Sequence, residues 1–309
     1  MTELVRLDKL TKYFDMGRGQ RVHAVDGISF SIQEGETLGL VGESGSGKST
    51  LGKTLLGLHD KTSGTLTYRG EVLPARYRSA DFQRLAHKMQ MIFQDPYSSL
   101  NPRMTVGEII AEGLRGKPMS ALERVGLNAA HASRYPHEFS GGQRQRIGIA
   151  RALIMEPEFV VCDEPISALD VSVQAQVVNL LNDLKKSMGL TMLFIAHDLS
   201  MVRYISDRMA VMYLGSLVEL GKAGEVYFDP RHPYTDVLIA SNPEPDPETE
   251  RQRLSTAIEG EIPSPVNVPA GCRFAGRCPK VMSICREQTP QLIPLVNEDR
   301  LVACHLYSQ

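Results

Sequence analysis

Apolar residues along this chain follow first a strand rhythm and then an alternation of strand and helix rhythms. Leu4 to Leu7 and Val22 to Ile32 read as β-strands. Gln33-Glu34-Gly35-Glu36 is predicted to form a hairpin turn into Thr37-Leu38-Gly39-Leu40-Val41, an apolar run with the character of a buried strand. Thr50 to Leu56 then places apolar residues at helical spacing, and Thr65 to Tyr68 and Met89 to Phe93 return to strands. From Thr105 to about Ser133 the pattern is helical but poorly ordered. Gln143 to Met155 reads as a helix that must stop before Pro157. Phe159-Val160-Val161-Cys162 is a buried strand ending in Asp163-Glu164, and Leu190 to Ile195 is another, delivering His197. Between them Val173, Val177, Leu180, Leu181 and Leu184 form a helical stripe closed by Gly189. Such alternation predicts an α/β core with a largely parallel sheet, whose ligands bind at the carboxyl ends of the strands. No internal repeat is present.

Between the first buried strand and its helix lies Gly42-Glu43-Ser44-Gly45-Ser46-Gly47-Lys48-Ser49, which fits the phosphate-loop pattern G-x-x-x-x-G-K-[ST]. Glycines let the backbone wrap a polyphosphate and aim successive N–H groups at it, and the helix N-terminus adds positive potential. Lys48 is placed to reach the β- and γ-phosphates and the Ser49 hydroxyl to hold Mg²⁺. The chain is expected to bind a nucleotide.

Composition narrows the class. With 309 residues there is room for one large domain and an appendage. A 42% apolar and 23% charged composition is that of a soluble globular protein, and a net charge of −2 gives no electrostatic case for a nucleic-acid partner. No window approaches the roughly 18 consecutive apolar residues of a membrane span, and Met1 to Arg6 lacks the layout of a signal peptide, so a cytosolic address is expected. Four of the five cysteines and 11 of the 18 prolines lie beyond Asp229, which sets a domain boundary near Phe228 (1–228 and 229–309), with Asn242 to Glu250 as a linker. Cys162 alone lies earlier and reads as a small buried hydrophobe.

Four more features stand behind the phosphate loop. Gln94 ends a strand and precedes Asp95-Pro96; Ser140-Gly141-Gly142-Gln143 opens a helix; Asp163-Glu164 ends a strand and leads into Ser167-Ala168-Leu169-Asp170; His197 closes the next. In this order they resemble the Walker A, Q-loop, signature, Walker B, D-loop and H-loop of ATP-binding-cassette (ABC) ATPases, over about Leu4 to Leu220. The resemblance implies a P-loop ATPase core with an antiparallel β subdomain and a helical subdomain, and it assigns roles. Asp163 holds Mg²⁺ with Ser49 and Gln94, Glu164 is the general base, and His197 contacts the γ-phosphate and the attacking water. Gly42, Ser44, Gly45, Gly47, Lys48, Ser49 and Thr50 bind ATP, and Tyr13, with Phe14 as the alternative, stacks on adenine. Ser140, Gly141, Gly142, Gln143 and Asp170 meet the nucleotide of a second subunit, so one cassette per chain implies a dimer closing on two ATP.

The cysteines Cys272-x₅-Cys278-x₆-Cys285-x₁₈-Cys304 suggest a metal site in a compartment where disulfides are disfavoured. Their spacing leaves [4Fe–4S] and zinc both open. His232-Pro233-Tyr234-Thr235, Gly271-Cys272-Arg273-Phe274 and Arg277-Cys278-Pro279 are similar to the C-terminal extension of dipeptide and oligopeptide importer ATPases. In that subfamily the tail cysteines can bind a [4Fe–4S] cluster. The run from Asp163 to Ser172 resembles the second of the two ATPase subunits in such importers, which implies a heterodimer. The same resemblance implies a peripheral protein on the cytoplasmic face of the inner membrane. Its partners would be two transmembrane permease subunits and an extracytoplasmic peptide-binding protein. The stretch between Val106 and Pro136 is short beside relatives, a departure that bears on docking to the permease. Nickel or another small solute is the alternative cargo. A repair or translation cassette is the reading from another class, disfavoured by the absence of heptads in the roughly 115 residues from Lys48 to Asp163.

Overall fold

The computed structural model describes residues 2–112, 118–241 and 263–307. The expected linker Asn242 to Glu250 lies outside the described residues. Among the described residues twelve strands follow in chain order: β1 (Glu3–Gly17), β2 (Gln20–Gln33), β3 (Thr37–Val41), β4 (Ser63–Tyr68), β5 (Glu71–Val72) and β6 (Met89–Ile92), then β7 (Phe159–Asp163), β8 (Thr191–Ile195), β9 (Arg208–Tyr213), β10 (Ser216–Lys222), β11 (Ile293–Pro294) and β12 (Leu301–Val302). The chain divides into two compact units that interleave in sequence. One holds the described residues of Thr2–Ile32, Leu38–Arg76 and His197–Gln309; the other holds those of Gln33–Thr37 and Tyr77–Ala196.

In the first unit a four-stranded sheet runs in the order β2-β1-β4-β5, with β4 antiparallel to both β1 and β5. A second sheet region runs β11-β12-β10-β9-β3. Here β3 is parallel to β9, pairing Leu38 with Arg208, while β9, β10, β12 and β11 are successively antiparallel. All five residues of β3 are buried, which explains why its sequence is a continuous apolar run and not an alternating one. The turn at Gln33 to Glu36 forms as predicted, with the Glu36 N–H donating to the Gln33 carbonyl at 3.1 Å and Gly35 at φ 74°. It does not close a hairpin: β2 pairs within the four-stranded sheet, whereas β3 pairs with β9.

In the second unit β6, β7 and β8 are parallel, with Met89 opposite Phe159 and Phe159 opposite Thr191. Both β7 and β8 are buried along their whole length. The poorly patterned stretch folds as short helices, Val106–Ala111 and Pro118–Arg124, followed by a 3₁₀ turn at Ala129–Ser133. Thr105 starts the first of these through a reciprocal cap with Glu108. Val106, Ile109, Ile110, Leu122 and Val125 are buried there, as are Ile147 and Ile149 of the helix Gly141–Leu153. Three turns or fewer per helix is why no long stripe is visible in the sequence. The helix Val171–Met188 ends, as predicted, on Gly189 in the left-handed conformation, φ 66°.

Candidate nucleotide site

The phosphate loop leaves the end of β3 and feeds the helix Lys48–Leu55. Two of its glycines are dictated by close approach. A Cβ on Gly42 would stand 2.2 Å from the Met212 carbonyl oxygen, and one on Gly47, where φ is 101°, would stand 1.9 Å from that of Ala24. Lys48 is 4% exposed, and its ammonium donates to the carbonyl oxygens of Gly42 at 2.7 Å and Glu43 at 2.9 Å. The cation is therefore held inside the loop, while Ser44 and Gly45 at the tip face solvent. A bare-backbone loop enclosing a cation, at a helix N-terminus, fits a polyphosphate.

Tyr13 lies on β1, half-buried, with its ring 4.1 Å from that of His23 and its hydroxyl donating to Asp26. Phe14 instead meets His59 edge-on. Burial and the neighbouring carboxylate push the Tyr13 phenol up to about 12. Burial alone would raise the Asp26 carboxyl, but bonds from Tyr13 and Arg273 outweigh it and hold it below the usual range. His197 is exposed just before the helix Leu199–Ile205, whose first N–H groups are capped by Asp198.

The second unit carries the carboxylates. Asp163, 2% exposed, ends β7. Glu164 follows with φ 44°, a left-handed conformation costly for a non-glycine residue and concentrated at functional sites. Its N–H donates to the Ile195 carbonyl at 3.0 Å, and its side chain accepts from the Gln94 amide at 2.9 Å. Gln94 and Glu164, 70 residues apart in sequence, are thus brought together. Gln94 is set in place because Asp95 caps the helix Pro96–Ser99 directly after it.

Ser140 caps the helix Gly141–Leu153: its hydroxyl accepts from the Gln143 N–H at 3.3 Å, and the Gln143 side chain accepts from the Ser140 N–H at 3.0 Å. Gly142 must be small, since a Cβ there would meet Val173 at 2.4 Å. Asp170 sits exposed at the start of the helix Val171–Met188 without capping it. Gln174 ties this segment down through the carbonyls of Ile166 and Leu169.

The four C-terminal cysteines do not make the metal site expected of them. Among the described residues no group of three or more His, Cys, Asp or Glu side chains is arranged to hold a metal ion. Burial pushes the Cys272 thiol up to about 11 and raises those of Cys278 and Cys304. The [4Fe–4S] and zinc readings of Cys272, Cys278, Cys285 and Cys304 are overturned. Cys162 is fully buried, its thiol pushed up to about 12 by burial.

The C-terminal residues instead make a buried polar and aromatic framework. His232 caps the helix Pro233–Ala240 by accepting the Tyr234 N–H at 3.0 Å, and burial lowers its imidazole to about 4, so the ring is neutral. Glu219, 0% exposed, accepts the N–H groups of Arg231 and His232 at 3.0 and 2.9 Å. Tyr234 accepts the Glu43 N–H at 2.8 Å, and Arg277 forms a two-pronged bond with the Glu43 carboxylate, both contacts at 2.8 Å. Arg273 donates to Asp26 and to the Leu214 carbonyl. Sequence reading missed Asp26, Glu43, Arg273 and Arg277 as site residues. The arginines stood only as flanks of cysteines, and Glu43 at a variable position of the loop pattern.

A phosphate loop at the end of one buried strand and a strained strand-end glutamate bonded to a glutamine define an ATPase of the ATP-binding-cassette class. Residues 25–167 match the ABC transporter family model, and residues 218–285 match the C-terminal region of oligopeptide/dipeptide transporters. The chain is 56% identical to the putative oligopeptide transport ATP-binding protein YkfD of Bacillus subtilis, covering 98% of this chain and 95% of that one. It is 49% identical to the oligopeptide transport ATP-binding protein OppF of Salmonella typhimurium, over 94% and 92% of the two chains. Among solved structures it resembles the dimeric, post-hydrolysis state of the ATP-binding cassette MJ0796 bound to ADP and Pi, at TM-score 0.65 and 27% identity, covering 71% of this chain and 99% of that one. The chain belongs to the ATP-binding proteins of the oligopeptide ABC transporter family. No helix among the described residues is long and apolar enough to cross a membrane.

Proposed function

We propose that this chain is the ATP-hydrolysing subunit that powers import of dipeptides or oligopeptides through a membrane permease. The C-terminal match and the relatives named for oligopeptide transport support peptides over nickel, and transport over repair or translation. Residues 1–228 act as the cassette and residues 229–309 as an importer-type extension. The chain works on the cytoplasmic face of the membrane with a second ATPase subunit as a heterodimer. Two permease subunits and an extracytoplasmic peptide-binding protein complete the complex.

ATP is the substrate. The N–H groups of Gly42, Ser44, Gly45 and Gly47, with Ser49 and Thr50, bind its phosphates; Lys48 offsets their charge and Tyr13 stacks on the base. Ser49, Gln94 and Asp163 offer the hard oxygen donors suited to Mg²⁺, which when bound neutralises charge on the phosphates. Glu164 takes a proton from the attacking water, which Gln94 and His197 orient. Ser140, Gly141, Gly142, Gln143 and Asp170 serve the partner cassette's nucleotide, so that closure needs both ATP molecules.

The observation that carries this reading is the Gln94–Glu164 bond at a glutamate held in a left-handed backbone. The test is the complete transporter in proteoliposomes with its peptide-binding protein. Peptide uptake and ATP turnover are expected to rise together and to vanish together in Glu164→Gln. Turnover that survives that substitution removes the assignment.

A further inference from the structure

The C-terminal extension reaches the nucleotide site at two places, through two arginines four positions apart. Between them Phe274, 1% exposed, packs against Tyr213, Tyr234 and His232, with ring centroids 5.3, 5.4 and 6.0 Å away. Successive turns, Ala275 N–H to the Cys272 carbonyl and Arg277 N–H to the Phe274 carbonyl, each at 3.0 Å, fix the two arginines on either side of that anchor. Arg277, with a side chain 8% exposed, forks onto Glu43, the second residue of the phosphate loop. Tyr234 takes the Glu43 N–H, and the Glu43 carbonyl in turn receives the Lys48 ammonium. Arg273, with a side chain 11% exposed, binds the Asp26 carboxylate that holds the Tyr13 hydroxyl. A backbone ladder joins the two ends: Asp26 N–H to the Gly215 carbonyl at 2.8 Å, and Gly215 N–H to the Ser46 carbonyl at 2.9 Å.

We infer that Arg273 and Arg277 are positioning residues for ATP, the first orienting the adenine-side Tyr13 through Asp26 and the second fixing the phosphate loop through Glu43. Two partly buried arginine–carboxylate pairs cost desolvation, and that cost is recovered only in well-aligned, fully bonded geometry. Tail docking alone would be served by the Phe274 cluster, since burying such a ring is favourable without any charge. Both pairs instead end on residues one bond away from groups that face the nucleotide. A forked guanidinium fixes direction as well as distance, which a lysine cannot do. The extension therefore presets the loop and the aromatic ring before ATP arrives, which lowers the ordering cost of binding. This inference rests on Tyr13 as the base-stacking ring for its first half, while its second half needs only the phosphate loop.

The test compares two ligands on the full chain: ATP, and inorganic tripolyphosphate, which has the phosphates without the base. Each displaces a fluorescent ATP analogue. Arg277→Gln is expected to weaken both ligands about tenfold, and Arg273→Gln to weaken ATP about fivefold while changing tripolyphosphate less than about twofold. In the assembled transporter the effect is expected in KM and not in kcat. Arg277→Lys, which keeps the charge and loses the fork, is expected to recover only part of the affinity. Should Arg277→Gln fail to fold, Glu43→Gln breaks the same pair from the loop side with the same expected loss. A lowered melting temperature with ATP affinity within about twofold of the parent would overturn the inference, leaving the arginines as tail-docking groups. Equal loss of both ligands in Arg273→Gln would overturn its first half and with it the role of Tyr13.

Discussion

The phosphate loop and the carboxylate end of β7 are built on opposite principles. The loop is over-determined: two glycines fit against carbonyl oxygens with no room for a Cβ, Lys48 is buried among loop carbonyls, and Tyr234 and Arg277 hold Glu43 from outside. Glu164 sits in a strained backbone, with its carboxylate bonded to an exposed Gln94 two residues before a short helix. Binding a charged, flexible triphosphate rewards preorganisation, because every group already in place saves ordering on arrival. On the proposed mechanism hydrolysis rewards the reverse at Glu164, a residue whose partner must be exchangeable when the site changes state. The strain at Glu164 is of the kind that persists only where the surroundings enforce it.

The two ends are expected to separate on mutation. Glu164→Gln is expected to lower ATP turnover about 10³-fold while leaving ATP affinity within about threefold of the parent, measured by phosphate release and by equilibrium binding. With the proposed second ATPase subunit it is also expected to accumulate as an ATP-bound dimer, visible by light scattering; a monomer under saturating ATP counts against a dimer closing on two ATP. Lys48→Ala is expected to weaken ATP binding at least about 100-fold, since it removes the cation enclosed by the loop. Tight ATP binding by that variant would dissolve the distinction between a binding end and a hydrolytic end.

How much of this was readable beforehand depends on how local the determinant is. β3, β7 and β8 were legible because a strand buried on both faces must be apolar throughout, and their ends located Asp163, Glu164 and His197. Ser140 and Gly189 were legible because capping chemistry operates over a few residues. The turn at Gln33 to Glu36 was readable as a turn, yet not as a link between strands of different sheets, because sheet membership is set by distant pairing. The cysteines misled for a related reason: spacing counts residues, whereas a metal site needs its donors in a ligating arrangement, and no group of described residues has one. Asp26 with Arg273 and Glu43 with Arg277 join positions 247 and 234 residues apart, beyond any periodic signal.

The framework that supports the braced end carries its own pH signature. His232 is 1% exposed and its imidazole is lowered to about 4 by burial, against an ordinary value near 6.5. A depressed histidine favours the neutral folded form, so its contribution is complete above about pH 6.5 and is lost as pH falls toward 4. Between pH 7 and pH 5 that loss comes to about 2 kcal/mol of unfolding free energy. His232→Asn keeps an acceptor for the Tyr234 N–H and removes the titration. Denaturant melts are expected to show a shallower decline below pH 6.5 for the variant than for the parent. Parallel curves would move the acid sensitivity elsewhere.

Gln94 gives the smallest and most discriminating effect, because it touches Glu164 by one hydrogen bond and carries no charge. Gln94→Ala removes the amide that donates to Glu164 at 2.9 Å but leaves the Asp95 cap and its helix in place. The expected result is a fall in turnover of about tenfold, with ATP affinity and melting temperature within error of the parent. Gln94→Glu places a second carboxylate against Glu164, and like charges at that distance raise the proton affinity of one of them. Its pH–rate profile is then expected to shift to higher pH relative to the parent. An unshifted profile, or an ATP affinity that falls as far as in Arg277→Gln, would mean that Gln94 braces the site as the extension does, and the contrast between the two ends would no longer hold.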